Sequence, residues 1–189
     1  LSGTVGAAKA SQTPLVLEAV RSLADGVMQH AHRGAGGSYA WCGPVYKRQI
    51  GGWRVSPLRE RVFDGSLGIA LFLAAAARVT GNSTYREAAI GAASNLSEPK
   101  LCMHATRALM QAGVGCGTGI GSAIYGLCHL GTLTGQVDLV QDAYAVWRHA
   151  EDLGIDEAAD LGLLSGQAGY LNACLVLYRH RPTSDLKTR

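Results

Sequence analysis

The chain has neither a long apolar segment nor a run of like charges. Its longest apolar stretch, Ile69 to Ala77, covers about half of the roughly 18 to 20 residues that a helix needs to cross a bilayer. The 17 basic and 14 acidic residues are scattered and leave a formal net charge of +3 without a basic block. We therefore expect no membrane span and no nucleic-acid partner, and we see no signal peptide.

Aromatic residues are also scarce, at 6% of the chain, whereas hydrophobic residues as a whole reach 48%. Alanine, leucine and glycine supply most of this apolar content, which favours helices packed through small residues over a β-sheet. The five cysteines form no Cys-x-x-Cys pair and are odd in number, so we expect reduced thiols. These features predict an all-α protein of the cytoplasm.

The first third of the chain divides into a helix and a long connection. Residues 1–13 are expected to form a flexible start. Over residues 14–33, apolar residues recur at three- and four-residue steps, which predicts an amphipathic helix. Residues 34–57 are rich in glycine, with aromatic residues between, and are expected to form a connection that has room for a short hairpin around Tyr39 to Trp53.

Three similar blocks follow within residues 58–189, at a spacing of about fifty residues. Each block opens with Gly-x-x-Gly, or Gly-x-x-Ser in the second, and runs directly into an apolar helix. The residues that mark these turns are Asp64, Gly65, Gly68, Gly119, Ser122, Gly166 and Gly169. We interpret each block as a turn that needs the backbone freedom of glycine, followed by a helix start that approaches a neighbour closely.

Polar breaks follow the first two of these helices, at Thr80 to Ser83 and at Thr134 to Gln136. Each break leads to a second amphipathic helix, over residues 84–96 and 137–153, so the unit is a helical hairpin. Such hairpins bury their cores only against neighbours, in a solenoid or in a closed ring. Glycines at the helix starts favour the ring, so we predict part of an α/α toroid, an incomplete α/α barrel.

At these blocks the chain resembles the lanthionine synthetase C-like family, and more closely the C-terminal cyclase domain of class II lanthipeptide synthetases. The resemblance rests on Val62 to Leu73, Gly119 to Leu127 and Leu164 to Leu171. It implies a toroid of helical hairpins with a zinc ion in the central cavity. The zinc activates a cysteine thiolate of a precursor peptide, which adds to a dehydrated Ser or Thr and closes a thioether ring.

The resemblance covers the first half of that domain, whereas the family's zinc ligands, two cysteines and a histidine, belong to turns of the second half. Trp41-Cys42-Gly43 has similar letters but precedes the first glycine block. Cys128-His129 lies within an apolar helix, where adjacent side chains diverge by about 100°. We therefore expect zinc in the full-length domain and none bound by this segment.

The third block of many family members carries an acidic acid–base residue four positions before its first glycine, where this chain has Gly162. Asp160 is the nearest acidic residue before it and becomes the candidate catalytic residue. The competing interpretation of Asp160 is a helix cap or a solvated turn residue.

Three functions are compatible with the sequence. The leading one is the N-terminal part of a lanthipeptide cyclase domain, inactive alone, whose partners are the precursor peptide and the remainder of the toroid, or a second copy at the open edge near Tyr170 to Tyr178. The second is a non-catalytic repeat module that grips a peptide with its loop from Gly34 to Trp53. The third is an α/α-barrel carbohydrate enzyme, for which Asp64 and Asp160 are the available acids.

Overall fold

The computed structural model describes residues 3–47, 51–155 and 160–187, with side chains from residue 14 onward except that of Lys47. Most of these residues are helical, which confirms the prediction of an all-α protein. The helices are α1 (Gly3–Gln29), α2 (Ser66–Thr80), α3 (Ser83–Gly91), α4 (Ser94–Ser97), α5 (Pro99–Met110), α6 (Ile120–Thr134), α7 (Asp138–Leu153), α8 (Gln167–His180) and α9 (Ser184–Lys187). None of them is long and apolar enough to cross a bilayer.

Helices α2, α6 and α8 lie side by side, with α6 between the other two, and we call them the inner row. Helix α3 packs on α2, α7 packs on α6, and α5 also contacts α7. The polar breaks act as the hairpin turns, because Gly81 and Gly135 adopt the left-handed conformation, with φ of 75° and 71°, and end α2 and α6. The predicted hairpin unit is therefore present.

The core lies mainly within and behind the inner row. It combines large aliphatic side chains with alanines, so that neighbouring helices approach closely. Fully buried members include Leu67, Ala70, Leu73, Ala88, Ala89, Ala123, Ile124, Leu127, Leu130, Ala143, Val146, Ala173 and Leu177. The low aromatic content of the chain thus corresponds to a core built from small and aliphatic residues.

Two helices differ from the sequence prediction. Helix α1 starts at Gly3, within the residues 1–13 for which the sequence suggests a flexible start. The helix predicted over residues 84–96 is interrupted, because α3 ends at Gly91. A Cβ atom there would lie 2.3 Å from the carbonyl oxygen of Gly37, so this glycine admits the loop that follows α1.

Helix α5 was not predicted, although its start has a clear local signal. Pro99 occupies the first turn, where its missing N–H costs no hydrogen bond. The side chain of Glu98 accepts a hydrogen bond from the Leu101 N–H at 3.0 Å and so caps the helix. This helix packs against α4, α6 and α7.

The connection contains two antiparallel strand pairs. Strands β1 (His32–Arg33) and β2 (Tyr39–Ala40) form one pair, and β3 (Cys42–Lys47) and β4 (Gly52–Pro57) form a hairpin, close to the region in which the sequence left room for one. Trp41, between the two pairs, is 4% exposed and its indole N–H donates to the Val27 carbonyl at 2.9 Å. The base of the hairpin is thereby fixed to α1.

Candidate functional site

The three glycine turns begin the three inner-row helices in the same way. Gly65, Gly119 and Gly166 are the N-cap residues of α2, α6 and α8, and all three have extended backbones. In each turn the N–H after the glycine donates to a carbonyl at the same earlier position, namely Ser66 to Arg59 at 2.8 Å, Ile120 to Gly113 at 3.1 Å and Gln167 to Asp160 at 3.0 Å. The blocks are therefore equivalent in structure as well as in sequence.

Space, and not backbone freedom, explains the glycine at each of these positions. A Cβ atom on Gly65 or Gly119 would lie 2.2 Å from a backbone oxygen of its own turn, and one on Gly166 would lie 2.3 Å away. Because their φ angles are extended, any residue could adopt the backbone conformation itself. The sequence interpretation that these turns need glycine flexibility is wrong at the N-cap positions.

The turns are also joined to one another by main-chain hydrogen bonds, and we call residues 59–65, 113–119 and 160–166 together the rim. Phe63 N–H donates to the Gly117 carbonyl at 3.0 Å and so links the first turn to the second. The Gly115 and Gly117 N–H groups donate to the Ser165 and Leu164 carbonyls, both at 2.9 Å. The rim thus holds the N-termini of all three inner-row helices at one end of the molecule.

Ser122 stands where the other two blocks have their second glycine. Its hydroxyl oxygen accepts a hydrogen bond from the Val62 N–H at 2.7 Å, across sixty residues of sequence. The other two blocks have no space for a side chain at this position. A Cβ atom on Gly68 would lie 2.2 Å from the Val62 carbonyl oxygen, and one on Gly169 would lie 1.9 Å from the Leu163 carbonyl oxygen. Ser122, the residue that departs from the Gly-x-x-Gly motif, therefore links the second block to the first turn through its side chain.

We expect Ser122→Ala to lower the free energy of unfolding by about 1 to 2 kcal/mol, because the Val62 N–H loses its acceptor in a partly buried position. Urea denaturation followed by circular dichroism measures this change. Ser83→Ala, an exposed residue in the first turn of α3, is the matched control and should change stability by less than about 0.5 kcal/mol. Equal effects of the two variants would contradict the link.

Asp160 is an exposed residue within the third turn. Its carboxylate accepts hydrogen bonds from the Ser165 hydroxyl and from the Gly162 N–H, the latter at 2.7 Å. These bonds, the Ser165 contact first, lower the pKa of Asp160 below its ordinary value. The contacts are those of a turn-forming carboxylate, and a catalytic role for Asp160 stays a prediction.

Asp64 has a comparable position in the first turn, where it forms an ion pair with Arg61 at 2.8 Å. Asp64 and Asp160 are thus each engaged within their own turn. This arrangement gives no support to the carbohydrate-enzyme alternative, which needs two carboxylates flanking one cleft.

The described cysteines and histidines do not fit a zinc site. Cys128 is fully buried in α6, and burial raises the pKa of its thiol to about 12, which opposes the thiolate that zinc binds. The Cys102 Sγ lies 3.8 Å from His149 Nδ1, but burial also raises the pKa of that thiol. Across residues 3–47, 51–155 and 160–187, no three Cys, His, Asp or Glu side chains are grouped as a metal site requires.

These environments predict a sharp order of cysteine reactivity. We expect maleimide at pH 8 to modify the exposed Cys42 at least about a hundredfold faster than Cys128, because Cys128 is buried and remains protonated. Mass spectrometry of timed digests gives both rates within one sample. Denaturation in urea is the control and should make the rates similar. Rapid labelling of Cys128 in the folded protein would contradict its position in the core.

A polar cluster lies on the inner row between α6 and α8. The rings of Tyr125 and His129 contact each other, with centroids 4.3 Å apart, and Thr132 Oγ1 lies 3.5 Å from His180 Nε2. Burial, with the nearby His180 adding a smaller effect, lowers the pKa of His129. The sequence places His129 beside Cys128 in an apolar helix and gives no signal for its surroundings beyond the four-residue step from Tyr125. That step signals the contact of the two rings, but the approach of His180 depends on helix packing.

A second feature is an apolar groove beside α8, with a volume of about 720 Å³. Trp147 of α7, Tyr170 and Tyr178 of α8 and Leu186 of α9 line it. Tyr170 donates a hydrogen bond from its hydroxyl to Glu151 at 2.8 Å, which fixes one wall of the groove. The groove lies along Tyr170 to Tyr178, the segment for which the sequence predicts an open edge.

The fold and the rim define a helical-hairpin repeat protein whose inner helices start from joined glycine turns. A family model for lanthionine synthetase C-like proteins matches residues 56–188, well over half of the chain. The chain belongs to the lanthionine synthetase C-like family. The match begins at the end of β4 and includes all three glycine turns. Among curated proteins, none matches the chain at a significant level.

Proposed function

We propose that the chain forms part of the cavity wall of a lanthionine cyclase, which closes thioether rings in a precursor peptide. The observation that carries the proposal is the rim, because it joins three equivalent helix starts into one continuous surface within a family match. A preorganised rim of main-chain atoms holds adjacent helices at fixed positions, as a cavity that must orient a flexible peptide requires.

In the proposed reaction a peptide cysteine thiolate attacks the β-carbon of a dehydroalanine or dehydrobutyrine. The C–S bond forms, the C=C electron pair moves into an enolate, and the α-carbon then takes a proton, so the peptide mass does not change. Because the described side chains do not fit zinc, we assign no step of this reaction to them through a metal. Their proposed part is to bind and orient the peptide.

The polar cluster on the inner row is the described surface best suited to that part. His129 has a lowered pKa and is neutral near pH 7, so that its imidazole offers one donor and one acceptor. Tyr125, whose ring contacts His129 at a tilt, and the neighbouring Thr132 add hydroxyl groups on the same helix. Such groups recognise the amide backbone of a peptide without demanding a particular sequence.

We further propose that the groove beside α8 receives the next part of the toroid. In the first two hairpins a complete outer helix, α3 or α7, packs along the inner helix before it. Helix α9 begins at the equivalent place, and Asp185 in its first turn lies 3.4 Å from Arg148 of α7. A helix that continued in the direction of α9 would cover Tyr170 and Tyr178 as α7 covers α6.

The test uses the full-length, gene-encoded protein and a synthetic peptide that contains one cysteine and one dehydroalanine. Ring closure protects the cysteine from maleimide, so mass spectrometry after labelling counts the rings formed. We expect zinc-dependent closure by the full-length protein and none by the 189-residue chain. A full-length protein that binds the peptide without closing rings in the presence of zinc would overturn the cyclase proposal.

That outcome would instead support the second candidate, a non-catalytic peptide-binding module. One observation favours this candidate independently, because the β3–β4 hairpin exposes Tyr46, Trp53 and Val55 to solvent. Solvent-exposed aromatic side chains are typical of surfaces that bind other molecules. The ring-closure assay separates the two candidates, since only the cyclase consumes the free thiol.

A further inference from the structure

The β3–β4 hairpin presents an apolar face that no other part of the described chain covers. Because side chains alternate along a strand, directly paired residues share one face of the hairpin. Three pairs share the outward face, namely Cys42 with Pro57, Pro44 with Val55, and Tyr46 with Trp53. All six residues are exposed, and we call them the hairpin face.

The exposure of the hairpin face is large. Trp53 is 70% and Val55 77% exposed, whereas Trp41 and Trp147, the other two tryptophans, are 4% and 3% exposed. Tyr46 and Trp53 meet edge to face, with ring centroids 5.6 Å apart, so part of their role is to stabilise the hairpin. That contact leaves most of both rings in water and does not account for Val55, Pro44 and Pro57.

The segment around the hairpin face is basic, although the chain as a whole has a formal net charge of only +3. Between residues 30 and 61 the sole acidic residue is Glu60, and its carboxylate accepts a hydrogen bond from Asn95. The Lys and Arg residues of the same segment are Arg33, Lys47, Arg48, Arg54, Arg59 and Arg61. A partner of the hairpin face is therefore expected to carry negative charge beside its apolar side chains.

The hairpin face also adjoins the rim. Strand β4 ends at Pro57, and the carbonyl of Arg59 accepts the hydrogen bond from Ser66 that starts α2. Among the residues that the structure describes, no third strand joins β3 and β4, so each of them has one free edge. Pro44 removes a donor from the middle of β3, whereas Pro57 removes one only at the last position of β4, so the β4 edge from Trp53 to Val55 is the better one for main-chain pairing.

From these observations we propose that the hairpin face binds an extended peptide segment that alternates apolar and acidic side chains, and delivers the adjoining segment to the rim. The identification of this peptide as part of the precursor peptide rests on the proposed function. The apolar side chains pack on Tyr46, Trp53 and Val55, and the acidic ones face the exposed Arg54 on the opposite face of β4. An extended segment fits a strand edge as a helix does not.

The test exploits Trp53 as the only well-exposed tryptophan. The probe is a synthetic peptide in which Leu and Val are interspersed with Glu and Ser, and its counterpart replaces every Glu with Lys. Binding of the acidic probe to the 189-residue chain should shift the tryptophan fluorescence to the blue and reduce its quenching by acrylamide. It should also slow the labelling of Cys42 by maleimide. The Lys counterpart should bind at least roughly tenfold more weakly.

Two variants test the surface without removing the aromatic pair. Val55→Thr keeps the β-branched shape and should raise the Kd of the acidic probe about fourfold, the effect of one buried methyl group. Arg54→Glu should raise it roughly tenfold at low salt. The matched controls are Val137→Thr, 72% exposed at the start of α7, and Arg107→Glu on α5, which should leave the Kd unchanged.

Several results would overturn the inference. Unchanged affinity in both hairpin variants would show that the probe binds elsewhere, while ring closure by the full-length protein would still uphold the proposed function. A blue shift only with vesicles of phosphatidylcholine and phosphatidylserine would assign the face to a lipid surface. If the chain self-associates and Val55→Thr abolishes that association, the hairpin face binds a second copy of the chain. If the full-length protein closes no rings but the 189-residue chain still binds the probe, only the cyclase proposal is wrong.

Discussion

Replacing Gly119 with alanine lowers the free energy of unfolding by about 3 kcal/mol, because the new methyl group has no space in the second turn. Its Cβ would lie 2.2 Å from the Gly113 oxygen, and that oxygen is held by the N–H of Ile120. Relief requires the turn to open, which also disturbs its bonds to the third turn. For a chain of this size the expected fall in Tm is roughly 6 to 12 °C, measured by calorimetry.

Gly26→Ala is the control for this substitution. Gly26 lies within α1 and a Cβ atom there would meet nothing within 4 Å. Alanine is favoured over glycine in a helix, so this variant should gain about 0.5 to 1 kcal/mol. If Gly119→Ala were as stable as the unchanged protein, the steric explanation of the glycine turns would be wrong.

The second large effect is expected for Leu127→Ala, which should lower the free energy of unfolding by about 3 kcal/mol. The physical cause here is a cavity in the core and not a steric clash. Leu127 is completely buried in α6, the helix that packs against both α2 and α8. Truncation removes buried apolar surface and leaves a cavity where the inner row cannot collapse, since the rim fixes the helix ends. Urea denaturation monitored by circular dichroism gives the loss directly.

Leu23→Ala serves as the matched control, because Leu23 is 63% exposed on α1 and its truncation creates no cavity. Its effect should stay within about 0.5 kcal/mol. A loss at Leu127 no greater than that at Leu23 would mean that α6 is not the centre of the core. The m-value should remain similar in all variants if each changes stability alone.

The elements that sequence predicted correctly are those whose signals are local. Gly81 and Gly135 end the first two inner helices because glycine tolerates the left-handed conformation, and the polar breaks around them mark the turns. The local signal for α5, Glu98 followed by Pro99, was present but overlooked. The interruption of the helix predicted over residues 84–96 has another origin, because Gly91 meets the distant carbonyl of Gly37.

The candidate site was less accessible to sequence reasoning because its contacts join distant residues. The serine in the second block breaks the Gly-x-x-Gly pattern, and only the position of Val62 in space explains it. The neighbourhood of His129 and His180 likewise depends on how α6 packs against α8. Alternation along β3 and β4 could have predicted the hairpin face, but its exposure requires knowing that nothing packs on it.

Most bonds that join the second and third turns run between main-chain atoms of Gly115 to Thr118 and Leu163 to Ser165, and the Cys116 thiol and the Thr118 hydroxyl add bonds to carbonyls of the third turn. Main-chain pairing does not depend on which side chains these positions carry, provided that the close-packed glycines stay. Mutations at Leu164, whose side chain is half exposed, can therefore alter the surface shown to a bound molecule while the assembly of the helices persists. Laboratory evolution for altered ligand preference would therefore find a tolerant target at Leu164.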